Sequence, residues 1–117
     1  MKVLLADDQP QVRSALRLLL EQQAESQVVA EVESLDGLLD CPLTRPPDTI
    51  LLDWELPGLS PAKDLPAIRR AYPLAQIVAL SSQPEARQSA LYAGADAFVC
   101  KGDPPEVLLA TLHHKAN

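Results

Sequence analysis

Apolar residues come along this chain in short blocks of two kinds, told apart by their internal spacing. Lys2-Val3-Leu4-Leu5-Ala6 is a continuous run that stops at Asp7-Asp8. Beyond it Val12, Leu16, Leu19 and Leu20 recur at helical spacing, and Pro10 suits a first helical turn, where its missing N–H costs nothing. That helix should fade over residues 22–26, before Val28-Val29-Ala30 and Val32 make a second strand. Ser34 is placed to cap a short helix, Leu35–Leu39, which Gly37 weakens. CPLTRPP reads as loop, and residues 49–52 form a third strand that runs into Asp53. Pro61–Ala71 reads as a helix entered after Ser60, with Pro66 expected to kink or shorten it. A fourth strand follows over 76–80. Then comes a helix over 84–93, with Ser82 as its expected cap and Gly94 closing it as a left-handed residue. Ala97–Cys100 is a fifth strand, and Pro104 or Pro105 opens a last helix through Val107, Leu108, Leu109 and Leu112 to about Lys115.

Five strands thus alternate with five helices through short connections, and the strands are apolar runs rather than alternating patterns. Strands apolar on both faces belong in a sheet covered on both sides, which means parallel strands with right-handed helical crossovers. The expected fold is α/β: a five-stranded parallel sheet in the flavodoxin-like order 2-1-3-4-5, helices on both faces. In that order the chain reverses direction between the first and third strands, and ligands of such sheets bind at the carboxyl ends there.

Composition narrows this only in places. The 117 residues make one domain, and with aromatics at 3% its core must be Leu, Val, Ile and Ala. A net charge of −6 argues against an unaided grip on nucleic acid or anionic lipid. Cys41 and Cys100 lack metal-ligand spacing and are too few for a disulfide framework, so they read as packing residues and reduced thiols of a cytoplasmic protein. No stretch reaches the length of a membrane span and no signal-peptide pattern opens the chain.

The chemistry is at the strand ends. The first strand delivers Asp7 and Asp8, the third Asp53, the fourth Ser81 and Ser82, and the fifth Lys101. Singly, each has an ordinary explanation: a strand-ending Asp is good turn chemistry, a Ser caps helices, and a Lys is commonly solvated. Together they bring three carboxylates, a hydroxyl and an ammonium to one crevice. Carboxylates that close repel, and a hard divalent cation such as Mg²⁺, which prefers a few carboxylate oxygens and keeps several waters, relieves the repulsion. A carboxylate is also a nucleophile towards phosphoryl groups, whose remaining oxygens call for a cation and a hydroxyl donor.

The motifs VLLADDQPQVRSALRLLLE, DTILLDWELPG, QIVALSS and AGADAFVCKGDPPEVLLATL occur in an order and spacing that resemble the receiver domain of two-component response regulators, along essentially the whole chain. The resemblance implies Asp53 as phosphoacceptor from a histidine kinase, with Mg²⁺ as cofactor. It implies a metal site of Asp8 directly, Asp7 through water, Asp53, and the backbone carbonyl of Glu55. Ser81 and Lys101 stand where the family binds the phosphoryl group, and Phe98 where it has a switch aromatic. In that scheme Ser81 moves towards the phosphoryl group and Phe98 rotates inward. The face of helix 4, strand 5 and helix 5 then changes, controlling dimerisation or an output domain. VRSALRLLLE and KGDPPEVLLATL are most similar to receivers whose output is a LuxR-type helix-turn-helix, through which alone DNA would be contacted. No such segment precedes Asn117, so the whole sequence is expected to be the receiver, either excised from a longer protein or a single-domain regulator.

Several positions depart from the family pattern: Ser60-Pro61 at the start of the third helix, Gly102 in place of a proline, Ser81 rather than Thr, and Trp54, Glu55 and Gln83 around the crevice. Two other readings stay open. One is a receiver-like interaction module that no longer takes phosphate. The other is a small Mg²⁺-dependent aspartyl phosphatase, since DWE is similar to a D-x-D motif, although it stands on the third strand in a chain too short for a cap; the expectation is that the chain is not an enzyme.

Overall fold

A computed structural model of the chain describes residues 1–43 and 45–114. The strands are β1 (Lys2–Ala6), β2 (Gln27–Val32), β3 (Thr49–Asp53), β4 (Gln76–Ser81) and β5 (Ala97–Cys100). The helices are α1 (Pro10–Glu21), α2 (Leu35–Leu39), α3 (Pro61–Ala71), α4 (Arg87–Ala93) and α5 (Pro105–His114). All pairings are parallel, in the order β2-β1-β3-β4-β5. The expected α/β sheet is therefore the one formed. The expected end of the last helix near Lys115 lies outside the described residues.

The pleat sorts the strand side chains onto two faces. Val3, Leu5, Leu51, Val78, Leu80 and Val99 pack with Leu20, Leu108 and Leu112 from α1 and α5. Leu4, Ala6, Ile50, Leu52 and Ile77 pack with Leu38 of α2, Leu65 and Ile68 of α3, and Tyr72 just beyond α3. Ala79 and Phe98 continue that second face under Ala90 and Ala95 at α4. Every residue of β3 is buried, which is why its sequence does not alternate.

Several local features differ from, or add to, what the sequence suggests. Pro66 does not end α3, which runs unbroken to Ala71; its ring is on the exposed side, where the carbonyl it leaves unpaired can be hydrated. The expected helix over 84–93 starts instead as a 3-10 turn, Pro84–Ala86, and becomes α-helical only from Arg87. Ser82 is not its cap: Gln83 holds that position, without a side-chain cap bond, and the Ser81 hydroxyl accepts the Gln83 N–H at 3.0 Å. Gly94 does close α4, with φ +117°. Ser34 caps α2 by accepting from the Gly37 amide at 3.1 Å. At the start of α3 the Ser60 hydroxyl makes no cap bond, and the Asp64 carboxylate instead accepts the Ser60 N–H at 2.7 Å.

Candidate functional site

Strand register brings the polar residues level with one another. Ala6 pairs with Leu52, so Asp7 and Asp53 come next on adjacent strands; Asp53 pairs with Leu80, just before Ser81. Ser81 pairs with Cys100, just before Lys101. Alternation along the strands gives Asp7, Asp53 and Lys101 the parity of the α1/α5 face. Ser81 and Phe98 have that of the α4 face. The crevice is therefore approached by charge from one side and by the hydroxyl and aromatic ring from the other.

Asp7, Asp53 and Ser81 are all but fully buried, whereas Asp8 is exposed. Asp7 and Asp53 share a local geometry: each uses Oδ1 to accept the amide two residues on, Gln9 at 2.9 Å and Glu55 at 3.0 Å. The turn explanation for both aspartates is thus correct, but it occupies one oxygen of each. Lys101 Nζ sits between them, 2.9 Å from Asp7 Oδ2 and 3.3 Å from Asp53 Oδ1. Its backbone N–H donates to the Ser81 carbonyl at 2.8 Å, which fixes the root of the side chain.

The charges feel this crowding. Burial is the main cause that lifts the Asp53 carboxyl above the usual carboxylate range; the Glu55 amide pulls it down, the Asp7 charge pushes it up and Lys101 lowers it. For Lys101, burial alone would lower the pKa, but the hydrogen bond to Asp7 and the charges of Asp53 and Asp7 outweigh it, and the ammonium is held above its ordinary value.

Carboxylate oxygens of Asp7, Asp8 and Asp53 lie within 4.8 Å of one another. Asp7 Oδ2 is buried, and Lys101 Nζ, 2.9 Å away, is its one polar partner among the described residues. Asp8 and Asp53 Oδ2 carry no hydrogen bond among the described residues. Hard oxygens left without donors in an acidic cluster fit Mg²⁺.

The remaining expected residues also converge. Glu55 is exposed beside the crevice, and its side chain reaches Ser81: the Ser81 hydroxyl donates to Glu55 Oε2 at 2.9 Å. The sequence does not announce this bond, although the pairing of Asp53 with Leu80 puts a residue two past Asp53 within reach of one just past Leu80. Phe98 is 4% exposed, already inside the small-residue cluster of Ala79, Ala90 and Ala95, with the Arg87 guanidinium 5.1 Å over its ring. Phe98 is thus already turned inward in this conformation. Arg87, on α4, does not stand out in the sequence, since nothing local pairs it with Phe98 on β5. Trp54 is partly buried and packs against both the α3 and α4 clusters rather than covering Asp53 alone. The Leu56-Pro57-Gly58 turn leads away with Gly58 at φ +87°, where the left-handed backbone suits glycine, and Leu59 N–H closes it on the Leu56 carbonyl at 3.0 Å. After Lys101, the described peptide bonds include no cis linkage, and the loop is closed by Asp103, whose carboxylate accepts the Cys100 N–H at 3.1 Å. An apolar cleft of about 340 Å³ between α1 and α5 passes beneath Lys101 and is lined by Val12, Leu16, Val99 and Leu108.

Comparison with known proteins agrees with this geometry. The family model for the response regulator receiver domain matches residues 3–113. The nitrate/nitrite response regulator NarP of Escherichia coli (strain K12) is 35% identical over 113 residues, covering 95% of this chain and 53% of its own. NarL of the same strain is 32% identical over 116 residues, 97% of this chain and 54% of its own. The chain spans about half the length of these relatives. Among solved structures, RcsB from Salmonella enterica serovar Typhimurium, bound to promoter rprA with phosphomimetic BeF3−, has a TM-score of 0.84 at 26% identity, covering 97% of this chain and 67% of that one. A two-component response regulator of the LuxR family from Aurantimonas sp. SI85-9A1 has a TM-score of 0.84 at 28% identity, covering 97% and 82%.

Proposed function

We propose, from the premise that this chain belongs to the response regulator receiver domain family and is a receiver of the NarL/LuxR type, that it works as a phosphorylation-controlled switch with Asp53 as acceptor. The observation that carries this is the placement of Lys101 between the buried Asp7 and Asp53, with Asp8 completing the acid set. The donor is a phosphohistidine on a cytoplasmic histidine kinase. Asp53 Oδ2, which has no hydrogen bond to give up, attacks phosphorus; the P–N bond breaks with its electron pair staying on the imidazole, and a P–O bond to Asp53 forms. Asp7, Asp8, Asp53 and the Glu55 carbonyl would hold Mg²⁺, which when bound supplies positive charge to the phosphoryl oxygens. Lys101 offers its ammonium to the new phosphoryl group while keeping Asp7 paired, and Ser81 offers its hydroxyl from the opposite face.

The chain acts in this reading as a switch and not as an enzyme. Its response is a population shift in the α4–β5–α5 face, where Leu91, Tyr92 and Val107 are exposed and where a second copy or an output domain would dock. Contact with DNA, as in the RcsB complex, would belong to an output domain outside this sequence.

Titration with BeF3− in the presence of Mg²⁺, followed by amide NMR, tests the assignment. Shifts centred on Asp53, Ser81 and Lys101 are expected, and Asp53→Asn should abolish them. A wild-type spectrum indifferent to BeF3− favours the phosphate-independent interaction module instead.

A further inference from the structure

Arg13 is not a member of the acid set but is tied to it, and its role as drawn from that tie rests on the metal reading of the set. Gln9 caps α1, so Arg13 stands one turn inside the helix, where long side chains lean back towards the N-terminus. Its Nη1 donates to the Asp7 carbonyl at 2.7 Å. Its Nε donates to Glu31 Oε1 on β2 at 3.0 Å, and Nη1 is 3.9 Å from Glu33. Arg17 holds the other oxygen of Glu31 at 2.6 Å. Burial would raise the Glu31 carboxyl, but hydrogen bonds and charge from Arg17 and Arg13 hold it below its ordinary value, so the pair stays ionised at neutral pH. The planar guanidinium fork therefore bridges β2 to the loop between β1 and α1.

That loop presents Asp8, whose exposed carboxylate has no hydrogen bond among the described residues, so backbone alone sets its direction. The Asp7 N–H donates to the Val32 carbonyl at 3.0 Å, and the Gln9 N–H to Asp7 Oδ1 at 2.9 Å. Between them the Asp7–Asp8 peptide is planar, and Arg13, by holding its oxygen, fixes the plane from which Asp8 projects. We infer that Arg13 is a positioning residue for the cation site: its fork holds the Asp7–Asp8 peptide so that the Asp8 carboxylate faces Asp7 and Asp53 before any cation arrives. Charge alone predicts the opposite effect, because a guanidinium beside an acid cluster repels a divalent cation. The sign of the effect on Mg²⁺ affinity separates the two.

Arg13→Met keeps the stem without the fork or the charge, and Arg13→Lys keeps the charge without the fork. In the metal-free chain the Asp8 amide, which shares its peptide with the bonded carbonyl, should shift in Arg13→Met and by less in Arg13→Lys. Mg²⁺ titration is read from the single tryptophan, Trp54, and from the same amide spectra. Affinity should weaken by about tenfold in Arg13→Met, the lower end of what losing a partner behind a metal ligand costs, and by less in Arg13→Lys. BeF3− affinity should fall with it at limiting Mg²⁺ and return to the wild-type value once Mg²⁺ saturates, because only the metal step is touched. Mg²⁺ affinity that tightens in Arg13→Met marks Arg13 as a repelling charge, and affinity that is unchanged while urea stability falls marks it as a tie of the fold alone. Either result overturns the inference, as does an unmoved Asp8 amide. If Arg13→Met folds poorly, Arg13→Lys decides, with wild-type affinity counting against the fork. A wild-type chain that binds no Mg²⁺ counts against the metal reading itself, and the Asp8 amide in the metal-free chain then still decides whether Arg13 sets the loop.

Discussion

Lys101 neutralises two buried carboxylates at once, so its removal should be felt first as lost stability. Lys101→Ala leaves Asp7 and Asp53 facing each other, at a cost of about 3 kcal/mol in metal-free buffer, and Mg²⁺ should recover part of it. Urea unfolding with and without Mg²⁺ checks this. The raised pKa of Lys101 means its contribution is complete below the ordinary lysine value and is lost only as pH rises through the raised one, so the deficit should be constant across neutral pH. Asp53 carries the opposite lesson. Its carboxyl is also raised, so its ionised form is the one the fold disfavours: stability is full below the ordinary carboxylate pKa and declines as pH rises through the raised value. Asp53→Asn should therefore stabilise the metal-free chain near neutral pH by about 1 kcal/mol, roughly 4 °C in melting temperature, with the gain vanishing in acid. Thermal melts in chelator at neutral and acid pH read it directly. Site residues were legible in the sequence because each ends a strand, but their contacts were not. Nothing local says that Lys101 approaches Asp7 more closely than Asp53, or that Glu55 turns to Ser81.

Elements were legible where apolar runs and helical spacing agree, as in β1, β3 and α1. They were less so where a single residue argues against its neighbours. Pro66 should break a helix by its chemistry, but Leu65 and Ile68 bury the inner face of α3 and hold the backbone in place. Conversely, the segment over 84–93 has no side-chain cap, and its first turn takes the tighter 3-10 form. Ties between elements were not readable at all. Arg69 at the end of α3 donates to the Ala75 and Gly94 carbonyls and pairs with Asp96, whose Oδ2 also accepts the Ile77 N–H at 2.8 Å. Asp96→Ala should cost roughly 1–2 kcal/mol in chemical denaturation, chiefly by leaving that amide without its acceptor. Gly94→Ala should cost about the same for another reason. The space around Gly94 is open, so the penalty is the left-handed backbone at φ +117° and not a clash.

For the molecule as a whole, the order β2-β1-β3-β4-β5 is what turns scattered polar residues into a site, because it sets β1 and β4 on either side of β3. The parallel sheet followed from the absence of alternation in the strands, a feature of both-sided burial, and the order from five βα units in a single domain of this size. Whether Phe98 is inside or outside did not follow, since an aromatic ring suits either position, and in this structure it is inside. The switch then turns on whether Asp53 accepts a phosphoryl group. The most direct test is the intact mass of the chain after incubation with acetyl phosphate and Mg²⁺. The expected result is the addition of one phosphoryl group to the wild type, dependent on Mg²⁺ and absent in Asp53→Asn. No addition, or an addition that survives in Asp53→Asn, would contradict Asp53 as the phosphoryl acceptor.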